Sequence, residues 1–450
     1  MRRLLLALCL ILAPCVHAQV VEESLSADPG PLDFIRGEGY EQWILQSLAG
    51  DALVGISPSG RLIPRLAHGW STGPDGTLHF HLRDDARFAD GHPVTAEDVL
   101  WTFQEIQRDP AASPTKRAVL RGAVVGVQGS CPWVRSSKPP ERLLLELARL
   151  PIARAGHPRA GSGPFAFHLE PGAWVFQRRE HFLKPQVDGI RFRLLPDPGA
   201  VTTALRKGWL SVGAPTPGRD QEPPPTHRLL RQAMHAQFVV WSRSGDGPLR
   251  LLEAWRRDAF PPGLLGSNAR PSRGLWPESL GFQVQGIPPH PSPAPVPRVL
   301  RLTFTAGEPF LEKLLLALRE RARRDGYDLR LAPQEQGLLV AHLTQGNFEL
   351  AGSMVVYEPH PWAVLEFMEP KGPMNFTGWS HPALTKLVAR LRHPEDPAWG
   401  ELQDLWARRL GALPLLDWQS VLWVDRRLEV ASGPLGLYLS TPGAAGWRWH

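Results

Sequence analysis

At 450 residues the chain has room for two or three domains of ordinary size, and 43% hydrophobic residues, with 17 Trp and 17 Phe against 21% charged, exclude a disordered or fibrous chain. Gly (42) and Pro (47) together approach a fifth of the sequence, which favours many short elements joined by rigid turns over long coiled coils. The formal charge of +6 comes from 43 Arg and 7 Lys interspersed with acids, with no run of like charge able to track a phosphate backbone, so nucleic acid is not expected as a partner.

The chain opens with a basic pair, Arg2 and Arg3, an apolar run from Leu4 to Ala13, and small residues at Val16 and Ala18, the pattern of a secretory signal peptide over residues 1–18. The apolar run is shorter than the roughly 20 residues a spanning helix needs, and Pro14 interrupts its end. Pro14 also stands where a lipid-anchored Cys15 would need a small residue, so a soluble, periplasmic protein is expected. Cys131 would then be alone in the mature chain, without an internal disulfide. A nucleophilic role would require a histidine partner that the sequence does not supply, so Cys131 reads as a small, half-buried side chain.

Leu78, Phe80 and Leu82 alternate with His79, His81 and Arg83, the two-residue period of a half-buried strand, bracketed by the turns Pro74-Asp75-Gly76 and Asp90-Gly91-His92-Pro93. Thr95, with Asp98 three residues on, predicts a capped helix whose apolar stripe is Val99, Leu100, Phe103 and Ile106. Residues 299–305 alternate as a strand. Over 309–324, Phe310, Leu311, Leu314, Leu315 and Leu318 keep helical spacing, and 327–331 alternates again. Such a strand–helix–strand unit implies a parallel pair with a right-handed crossover, and hence an α/β domain with an open sheet. Two further helices are expected, one capped by Ser380 with Leu384, Leu387, Val388 and Leu391, the other opened by Asp396-Pro397 with Trp399, Leu402, Leu405 and Trp406. The proline-dense stretches 214–226 and 286–297 read as linkers, and no internal repeat is present.

Gly69-Trp70-Ser71-Thr72-Gly73 matches the spacing of a nucleophile elbow, which needs a strand before the serine and a helix after it. Here a turn and a strand follow, so Ser71 reads as an ordinary turn serine. Sixteen His residues form neither HExxH nor CxxC-associated spacings, no P-loop is present, and Gly37-Glu38-Gly39 lacks the third glycine of a dinucleotide fingerprint. No catalytic residue, metal or cofactor is expected.

The run from Gly60 to Trp70 (Gly-Arg-Leu-Ile-Pro-Arg-Leu-Ala-His-Gly-Trp), then Asp75-Gly76-Thr77-Leu78-His79-Phe80-His81-Leu82-Arg83, then the run from Phe88 to Val99 (Phe-Ala-Asp-Gly-His-Pro-Val-Thr-Ala-Glu-Asp-Val) resembles, in order and spacing, the family 5 extracellular solute-binding proteins of ABC importers. These are the oligopeptide, dipeptide and nickel receptors. Gly161-Ser162-Gly163-Pro164-Phe165, Val187-Asp188-Gly189-Ile190-Arg191-Phe192, Ala204-Leu205-Arg206-Lys207-Gly208, Gln345-Gly346-Asn347-Phe348 and Leu413-Pro414-Leu415 are similar to later segments of that family.

The resemblance implies an α/β, two-lobed periplasmic-binding-protein-like fold: mixed open sheets flanked by helices, with a hinge between the lobes. Lobe I would take residues 19–50, 160–235 and 415–450, a trimmed small subdomain 51–159 would be inserted in it, and lobe II would take 236–414. It further implies capture of a short peptide or other small solute in the cleft and delivery to an ABC permease by a monomer. Glu358, after Tyr357 and Val356, stands where peptide-binding members place an aspartate for the peptide's amino group. Trp241, Glu38 and Gly39 complete the expected ligand-binding set. Two departures bear on the ligand: 249–258 replaces the family's usual alanine-rich helix, and 129–159 is short. The alternatives are a sensor or partner-binding protein that keeps the fold, and a nickel- or haem-binding variant prompted by His360 beside Glu358.

Overall fold

The computed structural model describes residues 19–57, 61–216, 222–260, 262–265, 269–280, 296–358, 360–370, 372–430 and 443–450. Its apolar side chains gather into three main cores. The first is built on a four-stranded sheet in the order Val20–Leu25, Gly189–Leu194, Ala173–Arg178, Phe165–Glu170, with the first pair parallel and the other two antiparallel. Helix Tyr40–Ala49 packs on it, burying Ile44, Leu45 and Leu48 against Val21, Phe165, Phe176 and Ile190. The glycines of the 161–165 motif serve this packing. A Cβ on Gly163 would stand 2.5 Å from the Ala49 carbonyl carbon and the Leu48 oxygen, so the end of the helix can back onto the chain only where no side chain exists.

The second core fills the 51–152 region. Its antiparallel sheet runs Ala67–Thr72, Leu78–Leu82, Cys131–Arg135, Val124–Gln128. Leu78 and Phe80 are buried as their spacing predicts, while His81 is exposed. Helix Ala96–Arg108 covers the sheet with Val99, Phe103 and Ile106, and Thr95 and Asp98 form the reciprocal capping box. Ser71 is exposed on strand Ala67–Thr72, with a turn and a strand after it, so the elbow geometry is absent. Half-buried Cys131 lies 3.7 Å from His81 Nδ1, a neighbour the sequence does not reveal because it belongs to the paired strand.

The third core, the largest, surrounds a sheet whose main path is Val212–Gly213, Ala412–Asp425, His227–Ser242, Leu350–Val356, Val299–Thr305, Asp328–Gln334. Helix Pro309–Arg324 crosses between the parallel strands Val299–Thr305 and Asp328–Gln334 at the limits its apolar spacing sets. One expectation needs correction. Helix Pro382–Arg390 is capped by His381, whose ring Nδ1 accepts from the Ala383 N–H at 3.2 Å, and not by Ser380. Pro382 fixes the first helical position, which puts the cap one residue later. Helix Ala398–Arg408 follows Asp396-Pro397, with Trp399 N–H donating to the Asp396 carbonyl. Of the expected linkers, 286–295 and 217–221 lie outside the described residues; 214–216 and 222–226 belong to no helix or strand.

Two antiparallel strands join the first and third cores. His227–Ser242 and Ala412–Asp425 contribute Leu422 and Val424 to the first core, and Phe238 to Trp241 with Leu413, Leu415 and Leu416 to the third. Their register shifts between Gln232 and Ala236 and again between Phe238 and Val239. Such irregularities bend and twist a strand pair locally, here where the two strands pass from the first core to the third.

Candidate ligand-binding site

A cavity of about 120 Å³ lies where the three cores approach one another. Helix Tyr40–Ala49 supplies Trp43 and Gln46, the 51–152 region supplies Ile56, Lys116 and Arg149, and the end of strand Leu350–Val356 supplies Val356, followed by Tyr357 and Glu358.

Glu358 is 8% exposed. Its carboxylate meets Arg149 Nε at 2.6 Å and His360 Nε2 at 2.6 Å, and Arg149 Nη1 donates to Glu366 at 2.7 Å. Burial opposes the Arg149 charge, but the carboxylates of Glu358 and Glu366 outweigh it and hold the guanidinium firmly protonated. The same guanidinium stands 5.4 Å from the Trp43 ring centre. An ammonium approaching Glu358 would therefore find its carboxylate already held by Arg149. Buried Tyr357 donates its N–H to His235 O at 2.6 Å, and burial, followed by Asp417 and Glu366, pushes its phenol well above the ordinary tyrosine range.

The other expected residues lie elsewhere. Trp241, 2% exposed, stacks on Phe367 at 6.0 Å and meets Phe376 edge-on at 5.1 Å, while its Nε1 donates to Met374 O at 3.1 Å. It belongs to the third core and is not among the residues lining the cavity. Glu38 accepts the hydroxyls of Ser113 and of Thr115, the latter at 2.9 Å, and Gly39 precedes helix Tyr40–Ala49 at φ 97°, a backbone conformation that favours glycine. Neither lines the cavity.

Several residues were not legible as site residues. Lys116, 2% exposed, donates through Nζ to Phe34 O at 2.9 Å and Gln46 Oε1 at 2.7 Å. Burial pushes its pKa down to about 8, with Glu38 and Asp33 acting the other way and Arg149 adding to the fall. Its one signal in the sequence is that it is among only 7 Lys in a chain of 43 Arg. Asp51 and Arg65 form an ion pair in the cavity wall, backed by His181, whose Nε2 lies 2.7 Å from Asp51 Oδ2. The Leu183 N–H donates to His181 Nδ1, which fixes the proton on Nε2. A second cavity of about 310 Å³ has Glu23, Tyr40 and Glu41 on one side and Glu308, Met354 and Trp418 on the other. Among the described residues, no group of three His, Cys, Asp or Glu side chains is placed to hold a metal ion, and no helix is long and apolar enough to cross a membrane.

The model of the bacterial extracellular solute-binding proteins, family 5, matches residues 61–129. The nickel-binding periplasmic protein of Escherichia coli K12 is 28% identical to this chain over 247 residues, 46% of this chain and 44% of its own length. The chain thus spans less than half of that curated relative. Among solved structures, DppA of Helicobacter pylori in complex with the peptide STSA overlays with a TM-score of 0.81 at 16% identity, covering 96% of this chain and 98% of that one. The murein tripeptide binding protein MppA of Escherichia coli overlays at 0.79 with 17% identity, covering 96% and 98%, and its unliganded open form at 0.68, covering 96% and 97%. These likenesses establish the two-lobed fold.

Proposed function

We propose that this protein is the exported substrate-binding receptor of an ABC importer, capturing a short peptide or peptide-like solute in the cleft between its lobes and handing it to a membrane permease. The observation that carries the reading is the charged, aromatic cavity at the meeting of cores that are joined by two bent strands. A site so placed is covered and uncovered by hinge motion without rebuilding either lobe. The cavity is small beside the several hundred Å³ of typical ligand pockets, so a whole solute enters with the lobes parted. Val356, Tyr357 and Glu358 form the lobe II wall, and Glu358 acts by holding Arg149. The protein works as a periplasmic monomer after removal of residues 1–18, and binding leaves the solute chemically unchanged.

Calorimetry of the mature protein against a library of di- to pentapeptides tests the reading. Saturable binding with one ligand per chain is expected, accompanied by a smaller radius of gyration in solution scattering. A folded protein that binds no member would overturn it.

A further inference from the structure

Among the described residues, no carboxylate touches the buried Lys116 ammonium of this cavity. An ammonium group has three N–H donors. Among the described residues Lys116 finds two acceptors, both neutral: the Phe34 carbonyl and the Gln46 side-chain oxygen. The acids around it are committed. Glu38 accepts the Ser113 and Thr115 hydroxyls, and Asp33 Oδ1 accepts the backbone N–H groups of Ile35 and Arg36. Asp51 faces Arg65 and His181, and Glu358 faces Arg149 and His360. Arg149 lines the same cavity with Nε and Nη1 turned to Glu358 and Glu366. Among the described residues, Arg149 Nη2 and the third N–H of the Lys116 ammonium have no acceptor.

A buried charge without a contacting counter-ion is costly, and two neighbouring cations repel, so both costs fall when an anion enters between them. We propose that Lys116, assisted by Arg149, is the seat of a ligand carboxylate, so that the cleft selects solutes by an acid end rather than by a free amino end. This rests on the receptor reading above and names the ligand class of the same site. Enclosed space of about 120 Å³ suits an end group: a dry cavity of about 150 Å³ admits one benzene. Charge-assisted bonds from a buried ammonium to a carboxylate are about twice as strong as those to a neutral amide, which sets a discrimination of at least tenfold.

The seat has a pH signature. The charged groups facing Lys116 are Glu38 and Asp33 on the loop before helix Tyr40–Ala49 and Arg149 just after helix Pro140–Leu147, and with burial they leave its pKa at about 8. A bound carboxylate favours the ammonium, so affinity is full below that value and falls about tenfold from pH 7 to pH 9.

The experiment is calorimetry on the mature protein with three matched sets of di- to tetrapeptides: unblocked, N-acetylated with a free carboxylate, and C-terminally amidated with a free amine. N-acetylated acids should bind, with the amides at least tenfold weaker. Lys116→Met should abolish the difference between acid and amide, and Lys116→Arg should retain part of it. The comparison on the unaltered protein needs no variant, so a misfolded substitution leaves the test intact. Equal binding of acids and amides, or loss of binding on N-acetylation, overturns the carboxylate seat while the receptor reading stands. Absence of binding by all three sets overturns both.

Discussion

Arg149 is the residue on which the buried charges of the cleft converge. With Nε on Glu358 and Nη1 on Glu366, it neutralises two acids that burial would otherwise penalise. Arg149→Met should therefore cost on the order of 3–5 kcal/mol in the urea unfolding midpoint, because both carboxylates stay behind. Glu358→Gln should cost less, about 1–3 kcal/mol, since Arg149 keeps Glu366, and the double substitution should cost less than the sum. Additive losses would show that the pair is not coupled. His181 makes a second test. Burial, then Arg65 and Arg179, push its pKa down to about 3, while the unfolded chain titrates near 6.5. The unfolded state thus binds the extra proton, so stability is intact above pH 6.5 and drains away as pH falls toward 3. Urea titrations across that range should show His181→Gln flattening the slope; an unchanged slope would refute the assignment.

Elements with a strong local period were readable without any tertiary information. Pro309–Arg324 was legible to its ends because a helix repeats its apolar face every three to four residues and Pro sets its start. The capping box at Thr95 was equally plain, since both partners lie within one turn, and Thr95→Ala should cost about 1 kcal/mol by chemical denaturation. Asp98 also accepts from the Ala155 N–H at 2.8 Å, so Asp98→Ala should cost more than Thr95→Ala. The His381 cap was not legible, because Ser380 is the better capping residue by propensity and only backbone geometry decides between them. Gly163 carries an element-scale prediction of its own. Its substitution by Ala should cost roughly 1–3 kcal/mol, as the new Cβ meets the backbone of helix Tyr40–Ala49, which cannot move aside as a flexible side chain could.

Across the whole molecule, the region of the second core is tied to that of the third by two arginines. Arg142 makes a bidentate pair with Glu369 at 2.9 and 3.0 Å, and Arg149 meets Glu366 at 2.7 Å. A hinge opening of the kind proposed would break these contacts, whereas the strands His227–Ser242 and Ala412–Asp425 would need only to flex at their register shifts. In small-angle scattering without ligand, the Glu366→Gln/Glu369→Gln double variant should have a larger radius of gyration than the parent. An unchanged profile would show that other contacts hold the lobes.

What the amino-acid order settled alone were the features whose physics is local: the half-buried strand at Leu78–Leu82, the capped helix after Thr95, the strand–helix–strand unit, and the ordered motifs that led to the two-lobed fold. Val356, Tyr357 and Glu358, singled out through the family resemblance, do line the cavity. The state of that wall did not come into view from the sequence. Arg149 and Glu358 are more than two hundred positions apart, as are Arg142 and Glu369, and no period or short motif links such pairs. Trp241 in the third core and Lys116 at the cavity likewise read in sequence as any tryptophan or lysine would. Whether a charge is bare, paired or waiting for a counter-ion depends on which distant segments exclude water from it, and only the folded arrangement decides that.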